Sequence, residues 1–398
     1  MFCRTVTVSL MRWVDGTLGY LLATLLAWAA GPPRSRPLRA RSGPGRILIL
    51  KFFGLGSIQL ATPLLRAVRR GFPEARLTFL TFEQNAPFVR LVPGVDEVWS
   101  VRTRSPWHFL RDTFQALARC WREPVHLVLD LEFFSKYSTA LGFLSGSPLR
   151  LGYALPVYWR RRLMTHVVPI APGLHMVDCF LQFARLLDLE AEGDLEPLRV
   201  LPEARDRLQG LLRDLGIDGS RPLVALNVNA GETSLLRRWP ARSFAELAEL
   251  LAPRATLAFL GSPGERDYVA SVLALLGPRA SAASVDLAGR LGPDDLVAFL
   301  ERCSLLITND SGPLHLAAGL GRPTVALFGP ETPSRYGPRV PRSRVFYRDL
   351  ACSPCLSPDN AKKAFCAFEQ RCLREIPVQD VAAAALELLE PVPVEGPG

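Results

Sequence analysis

A chain of 398 residues, 48% of them apolar, is long enough for two domains with full cores and is not a disordered polymer. Its net charge is +9, but residues 1–46 carry seven Arg (4, 12, 34, 36, 39, 41 and 46) against one acid, Asp15, which leaves about +3 for the rest. The basic excess therefore belongs to one terminal segment, and nucleic acid is excluded as a partner of the body.

In chain order, residues 16–33 are uncharged, and Leu18 to Ala30 (LGYLLATLLAWAA) is an apolar run near the lower limit for a membrane span. Arg34, Arg36, Arg39 and Arg41 follow in a Pro- and Ser-containing linker. The basic cluster comes after the run, not before it, which argues against a secretory signal. It also sets the linker against anionic lipid on a cytoplasmic membrane face. Residues 1–45 are expected to be a membrane-anchor helix and basic linker, spanning the bilayer or lying on it. A helix packed on the body and a signal peptide are the alternatives.

Arg46 to Phe52 (RILILKF) reads as a parallel strand buried on both faces, with Gly54-Leu55-Gly56-Ser57 as its turn. Ile58 to Gly71 has helical spacing. Strands follow at Arg76–Phe82, Val95–Val101 and Val125–Leu131, with a helix at His108–Cys120. The last strand ends at Asp130 and Glu132. After a looser stretch the pattern restarts. Leu201–Leu215, Arg242–Leu251, Tyr268–Leu276 and Asp294–Cys303 read as helices. Pro222–Val228, Ala255–Leu260, Ser284–Leu287 and Leu305–Ile307 read as strands. Two α/β halves of this kind predict two Rossmann-like domains, residues 46–200 and 201–398, facing each other across a cleft.

The strand at 305–307 runs into NDSGPLHLAAGLGRPTVALFGP, residues 309–330. Asp310 or Ser311 can cap a helix that opens at Gly312-Pro313, Gly321 stops that helix, and Thr324–Phe328 is the next strand. A helix start at the carboxyl end of a buried strand offers free N–H groups and a positive dipole end, which suit a phosphate or diphosphate. An ordinary βαβ turn has the same capping, but His315 and the Gly-Pro loop favour a site. Gly54-x-Gly56 lacks the third glycine of a dinucleotide fingerprint, so a dehydrogenase is disfavoured. Among eight cysteines, Cys352, Cys355, Cys366 and Cys372 fall within 21 residues. Their spacing admits a structural zinc or iron–sulfur site, or reduced thiols.

The 309–330 block resembles the signature of glycosyltransferase family 9, the ADP-heptose:lipopolysaccharide heptosyltransferases. Similar segments in the same order are Ile47–Lys51 with Gly56 and Ala61–Ala67, Arg237-Arg238-Trp239-Pro240, Gly261–Glu265, and Cys352-Ser353-Pro354-Cys355. The resemblance covers roughly residues 46–390. It implies a GT-B fold with the nucleotide sugar on the C-terminal domain, and inverting transfer with no metal or other cofactor required. It also implies a lipid-linked glycan acceptor and work at the cytoplasmic face of the inner membrane. On the donor side it points to Asp310, Ser311, Gly312 and His315. Arg237, or its neighbour Arg238, would hold phosphate, and Glu265 the ribose. The acceptor-side loop is Lys51, Gly54 and Gly56.

One departure stands out. The family's general base is an Asp after the first-turn glycine, and here that position is Ser57. A serine hydroxyl has no useful basicity near neutral pH without its own base. Asp130, Glu132 and Glu83 are the replacement candidates, with Glu132 preferred because a charge between an apolar strand and two Phe is costly to place without purpose. Pairing with Lys136 or Arg150 is its structural alternative. The expected function is therefore a membrane-associated glycosyltransferase. A non-catalytic nucleotide-sugar- or glycan-binding homologue is the alternative that Ser57 leaves open.

Overall fold

The computed structural model describes residues 8–30, 43–154, 157–170, 173–231, 235–356 and 365–390. The chain divides into two compact units, Met1–Glu196 and Pro197–Gly398. Each is built on a six-stranded, wholly parallel sheet.

In the first unit the strands are β1 (Arg46–Leu50), β2 (Arg76–Phe82), β3 (Glu97–Val101), β4 (Leu127–Asp130), β5 (Leu149–Tyr153) and β6 (His166–Val168). Their order across the sheet is β3-β2-β1-β4-β5-β6. Every residue of β1 is buried, as the uninterrupted apolar run requires of a strand covered by helices on both faces. Its register with β2 pairs Ile47 with Leu77 and Ile49 with Phe79. The chain winds outward from β1 to β3, then returns to β4 on the other side. The β1/β4 boundary is therefore the topological switch point, where ligands enter doubly wound sheets beyond the strand ends.

The second unit repeats the plan with β7 (Leu223–Asn227), β8 (Thr256–Phe259), β9 (Ser284–Asp286), β10 (Leu305–Asn309), β11 (Thr324–Phe328) and β12 (Ser343–Tyr347). The order is β12-β11-β10-β7-β8-β9, so the switch point falls between β7 and β10. Its core gathers Val224, Leu226, Phe259, Ile307 and Leu327 from the strands and Trp239, Phe244 and Leu251 from the covering elements.

Several expectations need correction. The helix expected over 58–71 is two helices, Leu55–Leu60 and Thr62–Gly71. Pro63 has no N–H for an uninterrupted ladder, and the Thr62 hydroxyl donates to the Gln59 carbonyl at 2.7 Å, so the chain restarts there. Strands β5, β6 and β12 were not expected. The N-terminal apolar run belongs to a helix, Val8–Ala29. Its Ala23 and Ala27 are buried against Trp159 and Leu163. Asp15 accepts from the N–H groups of Lys136 and Tyr137 at the start of helix Lys136–Leu144. Among the described residues no helix is long and apolar enough to cross a membrane. Arg34, Arg36, Arg39 and Arg41 lie outside the described residues.

Candidate functional site

At the second unit's switch point, three asparagines fix the backbone. The Asn309 side chain accepts from the Trp239 N–H at 2.9 Å and donates to the carbonyls of Val228 and Asn229. Asn229 donates to the Leu260 carbonyl at 3.0 Å. Asn227 donates to the hydroxyls of Thr308 and Ser311, both at 2.8 Å. The ends of β7, β8 and β10 are thereby tied together in a buried network in which each side chain has a partner.

From this frame Gly312–Gly319 leaves as a short helix with Pro313 in its first turn. Ser311 is its N-cap residue, but its hydroxyl is drawn into the Asn227–Thr308 network and makes no cap bond. The expected side-chain cap is absent, Pro313 has no N–H, and the Leu314 N–H goes to the Ser311 carbonyl at 3.2 Å. The Gly312 N–H, at the first turn, is taken by no side-chain cap among the described residues and suits an acceptor from outside. His315 is buried one turn in. Gly321, at φ +68°, ends the segment in the left-handed region that glycine adopts without steric cost.

Asp310 sits at the β10 terminus, its N–H given to the Leu327 carbonyl. Its carboxylate accepts from Arg237 Nη1 at 3.1 Å, and Arg237 Nη2 donates to the Ala230 carbonyl at 3.3 Å. Arg237 Nε is buried and lacks a hydrogen-bond partner among the described residues. A buried guanidinium with a spare donor is an incomplete arrangement that an anion would complete. Arg238 points elsewhere. Its guanidinium lies 3.9 Å from the centre of the Tyr268 ring and reaches Asn229. The two arginines are thus not interchangeable.

Glu265 closes a capping box with Ser262, one carboxylate oxygen accepting from the Ser262 N–H at 2.8 Å. Glu331 was not anticipated. It is buried in the loop after β11, where it accepts from the Thr332 N–H at 3.1 Å. Burial pushes its carboxyl up to about 7. Asp310 adds to the rise, and Arg335 and Arg237 oppose it. Tyr336 is raised mainly by burial, with Glu331 adding to it. The signal that could have found Glu331 is its place, a few residues past the strand next to β10.

The first unit's switch point holds the other candidates. A single oxygen of Glu132 accepts from Lys51 Nζ at 2.9 Å, the Phe52 N–H at 2.6 Å and the Phe53 N–H at 2.9 Å. Lys51 also donates to the Phe53 carbonyl. Glu132 therefore anchors the turn that begins the Gly54–Ser57 loop. Its partner is Lys51, not Lys136 or Arg150. Lys136 lies beside Asp15, and Arg150 binds the Leu163 carbonyl. Gly54 takes φ +82°, and a Cβ there would meet the Ser57 hydroxyl at 3.0 Å. Gly56 is buried in helix Leu55–Leu60, and Ser57 is half-buried.

Asp130 is paired with Arg160 at 3.2 Å, both side chains 0% exposed, and also accepts from Thr139. Burial raises the Asp130 carboxyl, against the pull of Arg160. With no exposed surface it has no path to a substrate hydroxyl, so it is a structural member of this cluster.

Cys352, Cys355, Cys366 and Cys372 line one cavity of about 180 Å³ with Phe365 and Phe368. Among the described residues no three or more Cys, His, Asp or Glu are arranged to hold a metal ion. Cys372 is part of the apolar core, where burial pushes its thiol up to about 11, and Cys366 Sγ accepts from the Gln370 N–H. Residues 357–364, between the two pairs, lie outside the described residues.

Two doubly wound units, each a parallel six-stranded sheet with a switch point beyond its strand ends, define a two-unit α/β protein. Residues 134–365 match the model of glycosyltransferase family 9 (heptosyltransferase), more than half of the chain, and the protein belongs to that family. It is accordingly a glycosyltransferase. It is similar to lipopolysaccharide heptosyltransferase 2 of Salmonella typhimurium, 25% identical over 321 residues that cover 75% of this chain and 87% of the relative. Among solved structures it resembles a family 9 glycosyltransferase from Veillonella parvula, with TM-score 0.73, 24% identity and coverage of 87% and 97% of the two chains. It also resembles the ADP-heptose lps heptosyltransferase II of E. coli, with TM-score 0.70, 22% identity and coverage of 86% and 98%. At these identities the two structures speak for the fold, two parallel sheets of the GT-B kind.

Proposed function

We propose that the chain transfers a heptose-like sugar, with inversion, from an ADP-sugar-like donor to a lipid-linked acceptor of the lipopolysaccharide-core type. The observation that carries this is Arg237, held by Asp310 with its Nε unsatisfied, beside an uncapped helix start. The Salmonella relative's name as a lipopolysaccharide heptosyltransferase supports the acceptor class.

In an inverting displacement the acceptor oxygen attacks the anomeric carbon while the bond from that carbon to the diphosphate breaks. Negative charge grows on the departing phosphate. Donors already in place stabilise it without reorganising. Arg237 and the N–H groups of Ser311 and Gly312 are those donors in this reading, and His315 stands one turn behind them. Asp310 positions Arg237 and, being anionic, does not itself meet phosphate. Glu265 has one oxygen engaged in its capping box, and its other oxygen is assigned to the ribose hydroxyls. Arg238 is assigned to the Tyr268 face and not to phosphate.

The first unit, residues 46–200, takes the acceptor through the Lys51–Gly56 loop. Glu132 remains the general-base candidate through the oxygen that the Lys51–Phe53 anchor leaves over; Ser57 lacks basicity of its own. The enzyme works at the cytoplasmic membrane face as a peripheral protein. A second reading, a homologue that binds the donor without turning it over, is favoured by Ser57 and by the threefold engagement of Glu132. ADP binding and transfer to a lipopolysaccharide-core acceptor separate the two. Binding with turnover supports the first reading, binding without turnover the second, and the absence of binding refutes both.

A further inference from the structure

Helix Pro106–Arg122 of the first unit presents an apolar stripe that nothing among the described residues covers. Trp107, Leu110, Phe114 and Trp121 are each more than half exposed. At 100° per residue they fall within an arc of about 60°, so they form one line along the helix. Arg111 and Arg122 flank that line on one side, both exposed. The nearby acids have other partners: Asp112 is buried and bound to Arg102, and Glu123, exposed just past the end, pairs with Arg46.

A second line runs along the N-terminal helix. Leu21, Leu25 and Trp28 are more than half exposed, again within about 60° of one another, opposite the buried Ala23 and Ala27. Both helices pack on the same element, Lys136–Leu144. The Trp107 helix does so through Thr113 and Phe109 against Tyr137 and through the Trp121 indole N–H on the Leu144 carbonyl. The N-terminal helix does so through Asp15 and Phe143.

The chemistry of the partner follows from the composition. Exposed Trp, Leu and Phe, with Arg as the flanking charge and no acid on hand to neutralise it, match the boundary between acyl chains and anionic head groups. Trp and Arg are also enriched at protein interfaces, so a second copy of the chain is an outcome of the test below.

We propose that the Trp107–Trp121 stripe, together with Leu21, Leu25 and Trp28, is a docking surface for anionic phospholipid, holding the first unit on the bilayer that carries the acceptor. This deepens the peripheral-membrane part of the reading above and rests on it. The helices lie in the interface with their apolar lines in the acyl boundary and Arg111 and Arg122 among the phosphates.

The test is flotation of the full chain with vesicles of phosphatidylcholine alone, and of phosphatidylcholine with an equal amount of phosphatidylglycerol. The expected result is binding to the mixed vesicles well above the neutral ones. Trp107→Ser with Phe114→Ser should weaken that binding by at least about tenfold. Arg111→Glu with Arg122→Glu, which leaves the apolar line intact, should abolish the preference for phosphatidylglycerol. Thermal stabilisation by ADP, measured on every variant, reports folding and donor binding independently of lipid. Its loss in the wild type would count against the donor reading while leaving the docking surface standing. Wild-type chain that does not float, or a serine pair that floats like wild type with its fold intact, overturns the proposal. So does a stripe variant whose only effect is to convert a dimer into a monomer.

Discussion

Replacing Glu331 by Gln isolates the electrostatics of the donor-side pocket. The wild-type carboxyl is raised from 4.5 to about 7, chiefly by burial. At about 1.4 kcal/mol per pH unit, that difference amounts to an ionisation cost on the order of 3 kcal/mol. The sign follows from proton counts. Below the unfolded value both states hold the proton. Between about 4.5 and 7 the unfolded chain has released it while the folded chain keeps it, so stability falls as pH rises through that window. The substituted amide has no proton to lose and keeps a carbonyl for the Thr332 N–H. The variant should therefore match the wild type near the acid end and exceed it by up to roughly 3 kcal/mol at about pH 8. At roughly 2–4 °C per kcal/mol, thermal unfolding at two pH values resolves this. A second consequence concerns the ligand. A diphosphate arriving beside Glu331 favours its protonated form, so ADP binding should take up a fraction of a proton near neutral pH in the wild type and none in the variant. Calorimetry in two buffers of different ionisation enthalpy measures it. A Tm difference between variant and wild type that is equal at both pH values would refute the reasoning.

Glu132→Gln removes the charge from base and anchor together, so leaving the buried Lys51 unpaired should lower Tm. Loss of turnover by about a hundredfold or more in chain that is still folded, with unchanged ADP affinity, supports the general base, whereas full transfer activity removes Glu132 from that role. Arg160→Ala leaves Asp130 buried without its cation and should cost about 3 kcal/mol, the lower end of the range, because Arg160 Nε and Nη1 have no partners of their own among the described residues. That loss, read by urea unfolding, should grow with pH, since the raised Asp130 is neutral under acid conditions. Metal analysis of purified protein should find no stoichiometric zinc or iron at the four cysteines; one equivalent per chain would show that the sulfurs rearrange around an ion.

Much of the frame was legible because parallel strands buried on both faces leave an unmistakable trace. ILIL in β1 and VALF in β11 are continuous apolar runs. The strands that escaped lack that trace. Arg150 and Gly152 interrupt β5, β6 has three residues, and β12 exposes Arg344 and Val345. The donor-side motif was readable as a helix start, yet the sequence could not show that Ser311 turns away from capping toward Asn227, 84 positions earlier. The Lys51–Glu132 pair spans 81 positions, and local charge pointed to Lys136 instead. Choosing between Arg237 and Arg238 required knowing where Tyr268 lies. Glu331 looked like an ordinary loop acid, because its burial comes from neighbours distant in sequence.

The most direct measurement is ADP affinity, by calorimetry, for the wild type, Arg237→Ala and Arg238→Ala. If Arg237 is the phosphate contact held by Asp310, its removal should weaken ADP about tenfold to a hundredfold, as expected for a charge-assisted hydrogen bond. Arg238→Ala, which removes the stack on Tyr268 and the long 3.5 Å bond to Asn229, should stay within about threefold. Equal losses from both variants, or wild-type affinity in Arg237→Ala, would contradict the assignment of the diphosphate to this site.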